Sequence, residues 1–286
     1  MQRTSTLTPS LILILAAACG GGGGDPADAR PQVDAGPDDP RPDRVGLINV
    51  IEGGGFNSIY ASITDGPEVP ALAHVATHGE CAIHARPEPA QCDPPCTTGA
   101  CTAPDVCTPY PEPVDHGDIT VTGLNEPLVF VPGEFGYAPD PFPSGADLFD
   151  AGDPIAVSAP GAAGAAFAAD LVGVEALIAP SQNLTLVDGE DATVTWTAGA
   201  GAAEIELQLV VGWHGAPPEA VMTCITADDG SFTIPGAAIT DLPRASSSLE
   251  SHASALRRFD RAVVEVAAGP IEIVVASNST IFFGHP

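Results

Sequence analysis

Seven cysteines are the residues whose type and spacing most directly indicate chemistry in this sequence. Five of them fall within residues 81–107. With Cys19 set aside an even number remains, namely Cys81, Cys92, Cys96, Cys101, Cys107 and Cys224. In an oxidising compartment such clustering favours disulfides. We expect at least two disulfides among the five clustered cysteines, with one of the five either free or paired with Cys224; the full connectivity stays open.

A metal site is the alternative interpretation of the same cluster. Zinc sites commonly use paired Cys-x2-Cys units, whereas three, four and five residues separate the successive cysteines from Cys92 to Cys107. His74 and His78 would share one face of a strand and could suit a metal, but a zinc site would also need a third ligand and an orienting second shell. We therefore predict no metal and no cofactor, and we interpret these histidines as surface residues.

The familiar catalytic motifs are missing from the sequence. It has no Gly-x-Ser-x-Gly elbow, no Walker loop, no His-Glu-x-x-His motif and no Gly-x-Gly-x-x-Gly after a strand. We predict that the protein has no catalytic residues and is not an enzyme. Two alternatives stay open. One is an envelope hydrolase without a recognisable motif; the other is a calcium-dependent adhesion or glycan-binding module, with Asp188, Glu190 and Asp191 offering oxygens from a turn.

Residues 1–18 have the form of an export signal. Arg3 precedes an apolar run at 11–15, which is too short for a transmembrane helix of ~20 residues. Small residues at 16–18 directly before Cys19 resemble the lipobox of bacterial lipoproteins, in which the Cys thiol receives a diacylglycerol. The resemblance implies lipidation of Cys19 by lipoprotein-processing enzymes and a membrane as partner through the N-terminal lipid. An ordinary secretion signal cut after the same alanines is the alternative.

The segment after Cys19 predicts a disordered tether. Residues 19–44 are dominated by Gly, Asp and Pro and contain nothing that could form a core. In enteric lipoproteins an Asp directly after the lipidated Cys resembles a signal for retention in the inner membrane. In this sequence that position is Gly20. By that analogy we expect a lipid-anchored protein of the cell envelope, located at the outer membrane.

The charge balance excludes a nucleic-acid partner. All nine basic residues are Arg, and they face 37 acidic residues, which gives a net charge of -28. Nucleic-acid binding depends on clustered cations. Between Arg86 and Arg244 there is no basic residue at all, so an anionic ligand would find no cation in that span.

Short β-prone segments separated by turns must position these residues. The predicted strands are 46–51, 58–63, 118–123, 128–131, 154–159, 171–178, 204–211, 220–226, 231–234, 262–267 and 271–276. Alternation places Ile205, Leu207 and Leu209 on one face of their strand, and Trp196 is a predicted core aromatic. A single helical turn is expected near 237–242.

We predict an all-β fold of antiparallel sandwich domains behind the tether. The first β domain covers 45–178 and contains the Cys-rich loop 81–107, and an Ig-like sandwich covers 179–286. Residues 247–259 fit either a helix or a strand.

Several segments resemble those of a known group of proteins. They are PYPEPVDHGDITVTGL after the Cys-rich loop, then DLFDAGDPIAVSAPG, LTLVDGEDATVTWTAG, EAVMTC and DDGSFTIPGAAITDLP. Their order is similar to that in uncharacterised lipoproteins of myxobacteria and related Gram-negative bacteria. The resemblance implies the location and the β fold and assigns no activity. The sequence thus predicts a non-catalytic binding or structural module of the envelope, with its ligand left open.

Overall fold

One large sheet organises the described part of the chain. The computed structural model describes residues 43–53, 57–134, 136–143, 145, 147–180, 182–201, 203–212, 218–244 and 254–286. Within these ranges the strands are β1 (Gly46–Gly53), β2 (Ser58–Ile63), β3 (Ala73–His78), β4 (Cys81–Ala85), β5 (Ala100–Ala103), β6 (Val106–Thr108), β7 (Ile119–Thr122), β8 (Leu128–Gly133), β9 (Gly136–Pro139), β10 (Pro154–Ala159), β11 (Phe167–Val172), β12 (Gln182–Thr185), β13 (Ala192–Thr195), β14 (Glu204–Val211), β15 (Ala220–Ala227), β16 (Ser231–Ile234), β17 (Ala255–Val266) and β18 (Gly269–Gly284), with one short helix, α1 (Gly236–Asp241), between β16 and β17.

The sheet is almost entirely antiparallel. Its strand order is β11-β10-β7-β8-β9-β2-β1-β18-β17-β14-β15-β4-β3, and β12 pairs with the C-terminal end of β18. The pairs β1–β18 and β12–β18 are parallel. Two smaller sheets are formed by β13 with β16 and by β5 with β6. The predicted all-β class is therefore confirmed.

One face of the large sheet carries two hydrophobic cores. The first core includes Ile48 and Phe130, and the second includes Leu207 and Met222. Val194 of β13 belongs to the second core, so the β13–β16 sheet covers this part of the large sheet as the second layer of a sandwich. We call the side of the large sheet that carries these cores the core face, and the opposite side the second face.

Strands from both sides of residue 178 share the large sheet. β1 lies beside β18, and β4 lies beside β15, although these partners come from the two different predicted domains. The first core is nevertheless drawn mostly from residues before 178 and the second mostly from residues after it. The terminal strand β11 also contacts β17, where the Asp260 carboxylate accepts a hydrogen bond of 2.7 Å from the Val172 backbone N–H.

The sequence predicted the bounds of four strands correctly. β2, β10, β14 and β16 have the predicted bounds, and α1 lies one residue before the predicted turn. β11 lies at 167–172 rather than 171–178, because the apolar residues after Val172 pack as irregular chain instead of continuing the strand. Residues 255–266 form β17, so the helix alternative is wrong for the described end of the ambiguous segment.

A buried ion pair connects β17 to the turn after β15 at the second core. Arg258 on β17 donates from Nε to Asp228 Oδ2 at 2.7 Å, and both side chains are almost fully buried. Trp196, buried as predicted, donates from its indole N–H to Asp228 Oδ1 at 2.6 Å. Burial raises the pKa of Asp228, but the hydrogen bonds from Arg258 and Trp196 outweigh it and hold that pKa below its usual range.

Candidate functional site

A cavity of about 180 Å³ opens on the second face of the central strands. Its lining comes from β1, β14, β15, β17 and β18 and from the residues just before β1. The described lining residues are Arg44, Leu47, Asn49, Glu206, Gln208, Thr223, Arg257, Phe259, Arg261, Glu272 and Val274. The cavity is thus mostly polar, with three arginines, two glutamates and two side-chain amides.

Strand alternation explains why these side chains meet. Leu207 on β14 enters the second core, so its neighbours Glu206 and Gln208 point to the second face. The same period-two pattern on β17 sends Arg257 to the second face while Arg258 is buried on the core face. The register then places Arg257 directly opposite Glu206.

Three ion pairs organise the cavity wall. Arg257 Nη1 lies 2.7 Å from Glu206 Oε1. Glu272 is shared, because Arg44 Nη1 lies 2.8 Å from its Oε2 and Arg261 Nη1 lies 3.1 Å from its Oε1. The Arg261 guanidinium also lies over the ring of Phe259, 4.7 Å from its centroid. Three cations against two anions make the lining locally positive in a strongly acidic chain.

Two buried polar atoms in the lining have no hydrogen-bond partner among the described residues. They are Oγ1 of Thr223, a residue that is 3% exposed, and Nε of Arg257. Leaving a buried polar atom unpaired costs about 1–3 kcal/mol. Both residues line the same cavity, so a ligand with polar groups could satisfy both atoms.

An aromatic side chain stands next to the cavity on the same face. Tyr60 on β2 is 49% exposed. It lies directly opposite Asn49 on β1, and Asn49 lies opposite Val274 on β18, which in turn lies opposite Arg261 on β17. These four residues form one row across four strands, with Tyr60 at one end.

The sequence missed this site for an identifiable reason. The span between Arg86 and Arg244 indeed has no cation, but the fold brings Arg44, Arg257 and Arg261 to the strands of that span. The signal was the density of arginines at 257–261 in a chain that has few of them. Arg44, which the sequence assigns to the tether, contacts Glu272 and belongs to the folded body.

The predicted disulfides are confirmed. Cys81 pairs with Cys224, Cys92 with Cys101, and Cys96 with Cys107. The first disulfide joins neighbouring strands β4 and β15 on the core face, and the other two join the short β5–β6 hairpin to the loop before it. The sulfurs of Cys92, Cys96 and Cys101 lie within 4.8 Å of one another, but all three are engaged in these disulfides.

His74 and His78 do not share a strand face. A register shift between His74 and Ala76 puts one extra residue into β3. His74 therefore lies beside His84 with ring centroids 5.3 Å apart, while His78 Nε2 lies 2.7 Å from an Asp241 carboxylate oxygen at the end of α1. The expectation of a common face was wrong because strand alternation is interrupted between the two residues.

The acidic turn at 188–191 is engaged by other groups of the chain. Asp188 forms an ion pair with Arg244 and a hydrogen bond with His285, and the hydrogen bond from His285 lowers the pKa of this carboxyl. Asp191 Oδ1 accepts the backbone N–H of Gly236 at 2.8 Å. The turn therefore serves to hold α1 and the C-terminal residues in place.

The lipidation site predicted at Cys19, the signal at 1–18 and the tether up to residue 42 lie outside the described residues. In the part of the chain that the structure describes, no helix combines the length and the apolar character needed to span a membrane.

Comparison with known proteins identifies no family for this chain. No protein-family model matches the chain, and no curated protein is significantly similar to it. One solved structure, a Ca2+-stabilized adhesin that helps an Antarctic bacterium reach out and bind ice, is similar over 72% of this chain at 14% identity. The chain covers 44% of that structure's chain, and the TM-score is 0.18. At that TM-score the likeness supports no argument about fold or function.

Proposed function

We propose that this chain is a lipid-anchored, non-catalytic binding module of the cell envelope that holds a small ligand in the cavity on its second face. The observation that carries the proposal is the pair of buried, unpartnered polar atoms in the cavity wall, Thr223 Oγ1 and Arg257 Nε. Native proteins pair most buried polar groups, and an exception calls for an explanation. A bound ligand that supplies hydrogen-bond partners to both atoms would account for this exception.

The composition of the cavity supports binding over catalysis. Its two carboxylates, on Glu206 and Glu272, are both held by arginines. General acid–base catalysis needs a carboxyl or imidazole within reach of the proton it transfers. The described lining contains no His, Cys, Ser or Asp, and nothing in it is arranged to activate the Thr223 hydroxyl as a nucleophile.

A ligand screen by thermal unfolding tests the binding half of the proposal. The full chain in detergent should be stabilised by at least one member of a library of sugars, carboxylates and inorganic ions, since a ligand at 100 times its Kd adds about 2.7 kcal/mol. Thr223→Val, which removes the hydroxyl at nearly constant volume, should reduce the stabilisation. Thr193→Val, at an exposed position of β13, is the matched control. A shift that is unchanged in Thr223→Val would place the ligand elsewhere.

The anchoring half of the proposal rests on the sequence around Cys19. Acyl chains contribute about 0.8 kcal/mol per buried methylene, so more than one chain gives stable attachment. Cys19→Ser should move the protein from the detergent phase to the soluble envelope fraction, while Ser10→Ala, which keeps the thiol, should leave it in the detergent phase. A wild-type protein that is already soluble, or a Cys19→Ser variant that stays with the membrane, would replace the anchor with plain secretion.

A further inference from the structure

We infer that the ligand of the second-face cavity is a carboxylate-bearing saccharide, such as a uronic acid residue of a glycan, whose carboxylate is held by Arg257. This inference rests on the proposed function, because it names the ligand of the same cavity. It follows from three features: a guanidinium whose buried Nε has no partner among the described residues, a cavity wall with one net positive charge, and an exposed aromatic ring beside polar side chains.

The first feature is the unpartnered Nε of Arg257. Its Nη1 is engaged by Glu206 at 2.7 Å, whereas its Nε is buried without a partner. Nε and the neighbouring Nη2 present two parallel N–H groups on one edge of the planar guanidinium, which is the geometry that binds a carboxylate through both oxygens. A ligand carboxylate on that edge would satisfy the buried Nε and leave the Glu206 pair in place.

The second feature is the charge of the wall. Glu272 already neutralises much of Arg44 and Arg261, to which it is ion-paired at 2.8 and 3.1 Å. Glu206 neutralises Arg257 in the same way, so the three cations and two anions of the described lining leave one net positive charge. One net positive charge suits a singly charged carboxylate better than a phosphate, which carries close to two negative charges and more acceptor oxygens.

The third feature is the remainder of the surface. Asn49 and Gln208 each offer a donor and an acceptor, and Thr223 Oγ1 can do either, which matches the double role of sugar hydroxyls. The exposed ring of Tyr60 lies beside Asn49 and provides an apolar face against which the C–H face of a pyranose ring could pack. A simple carboxylate would leave this ring and these amides unused.

The dimensions agree with more than one sugar residue. The row from Tyr60 to Arg261 crosses three strand spacings, or about 14 Å. The cavity of about 180 Å³ is smaller than the ~300–1,000 Å³ of drug-sized pockets, so it would take one residue. The neighbouring residue of the same glycan would then lie on Tyr60.

Calorimetric titration of the full chain in detergent tests the inference with defined probes. The probes are a galacturonate or glucuronate tetrasaccharide, its neutral methyl ester, a glucose tetrasaccharide, acetate and inorganic phosphate. We expect the acidic tetrasaccharide to bind ~10- to 100-fold more tightly than its methyl ester, because the ester loses a charge-assisted pair. Its affinity should also fall as salt is raised.

Variants separate the roles of the two ends of the site. Arg257→Lys keeps the charge but loses the two-pronged edge, and should weaken the acidic tetrasaccharide ~10-fold or more. Tyr60→Ala should weaken the tetrasaccharide but leave the affinity for acetate unchanged. Arg244→Gln, which removes a cation that is ion-paired with Asp188 and is not among the described lining residues, is the control, and thermal unfolding of each variant verifies the fold.

The outcomes distinguish this inference from the proposed function beneath it. Equal affinity for the acid and its methyl ester, with loss in Thr223→Val, would overturn the uronate inference while the binding cavity stands. Tighter binding of phosphate than of the acidic tetrasaccharide would likewise overturn it in favour of a plain anion site. Failure of every probe and of the wider ligand screen to bind would remove the proposed function as well.

Discussion

Arg257 and Arg258 are neighbours in sequence, yet their side chains lie on opposite faces of β17 and differ in how many of their guanidinium nitrogens have hydrogen-bond partners. Arg258 uses all three guanidinium nitrogens: Nε and Nη2 donate to Asp228, Nη1 donates to the backbone oxygens of Glu175 and Ala176, and Nη2 also donates to that of Thr197. Arg257 has one ion pair, to Glu206, and its buried Nε has no partner.

The contrast separates a structural arginine from one that is available to a ligand. A buried charge is tolerated when hydrogen bonds satisfy it, and then it holds elements together. Arg258 does this for β17, the turn after β15 and the chain around Glu175. Arg257 keeps part of its bonding capacity unused at the edge of a cavity, which is a stability cost that only a bound partner would offset.

The largest expected difference between the two faces follows from removing each arginine. Arg258→Met leaves Asp228 buried without its cation and should lower the free energy of unfolding by about 3–5 kcal/mol. Arg257→Met breaks a partly exposed pair and should cost about 1 kcal/mol or less. Denaturant unfolding of both variants measures this, and equal losses would mean that the two faces do not differ as described.

The second-largest expected effect on the free energy of unfolding comes from a disulfide on the core face, opposite the cavity. Cys81–Cys224 closes a loop with a sequence separation of 143 residues, whereas Cys92–Cys101 closes one of 9. Because longer loops lose more unfolded-state entropy, replacing the first pair by Ala should cost about 2–4 kcal/mol and more than replacing the second. Cys224 lies on the core face beside Thr223, so ligand binding should persist at temperatures where the variant stays folded. Loss of binding in a folded variant would show that the two faces are coupled.

The sequence predicted the elements whose pattern is local. Alternation in 204–211 gave β14, its buried Leu207 and its outward Gln208, and the cluster at 81–107 gave the disulfides. β5 and β6 were missed because they are three or four residues long among Pro and Thr, too short for a period to show.

The cavity could not be predicted because it depends on long-range register. Arg44 and Glu272 are 228 residues apart in sequence and meet only because β1 pairs in parallel with β18. Nothing in either local sequence specifies that pairing. The sharing of one sheet by residues before and after 178 has the same origin.

Glu52 on the core face is a buried carboxyl group that accepts a hydrogen bond but, among the described residues, has no ion-pair partner. Its Oε2 accepts the Leu148 N–H at 2.8 Å, and burial, together with nearby Asp147 and Asp150, raises the pKa of its carboxyl above the usual 4.5. A raised folded-state pKa means that the folded protein binds more protons, so this group lowers stability as pH rises from about 4.5 through the raised pKa.

Glu52→Gln should remove that part of the pH dependence. The variant should match the wild type below pH ~4 and exceed it modestly at neutral pH, by less than the disulfide effect. Glu190→Gln, at an exposed turn, is the control and should keep the wild-type slope. Unfolding measured across this pH range decides the matter, and a variant that is less stable than wild type at neutral pH would show that Glu52 is a satisfied anion like Asp228.

The smallest expected effect, and the one that most sharpens the comparison, comes from Thr223→Val. Replacing an unpaired buried hydroxyl with a methyl group of similar volume should raise the free energy of unfolding by up to about 1 kcal/mol, because the desolvation cost of Oγ1 disappears. The same change should weaken ligand binding, since the hydroxyl is no longer there to pair. Thr193→Val on exposed β13 should alter neither property. A gain in stability together with a loss of binding would identify the cavity as a binding site that the protein keeps at the expense of stability. A loss of stability would mean that the Thr223 hydroxyl is hydrogen-bonded in solution. The contrast between the two faces would then depend on the unpartnered Nε of Arg257 alone.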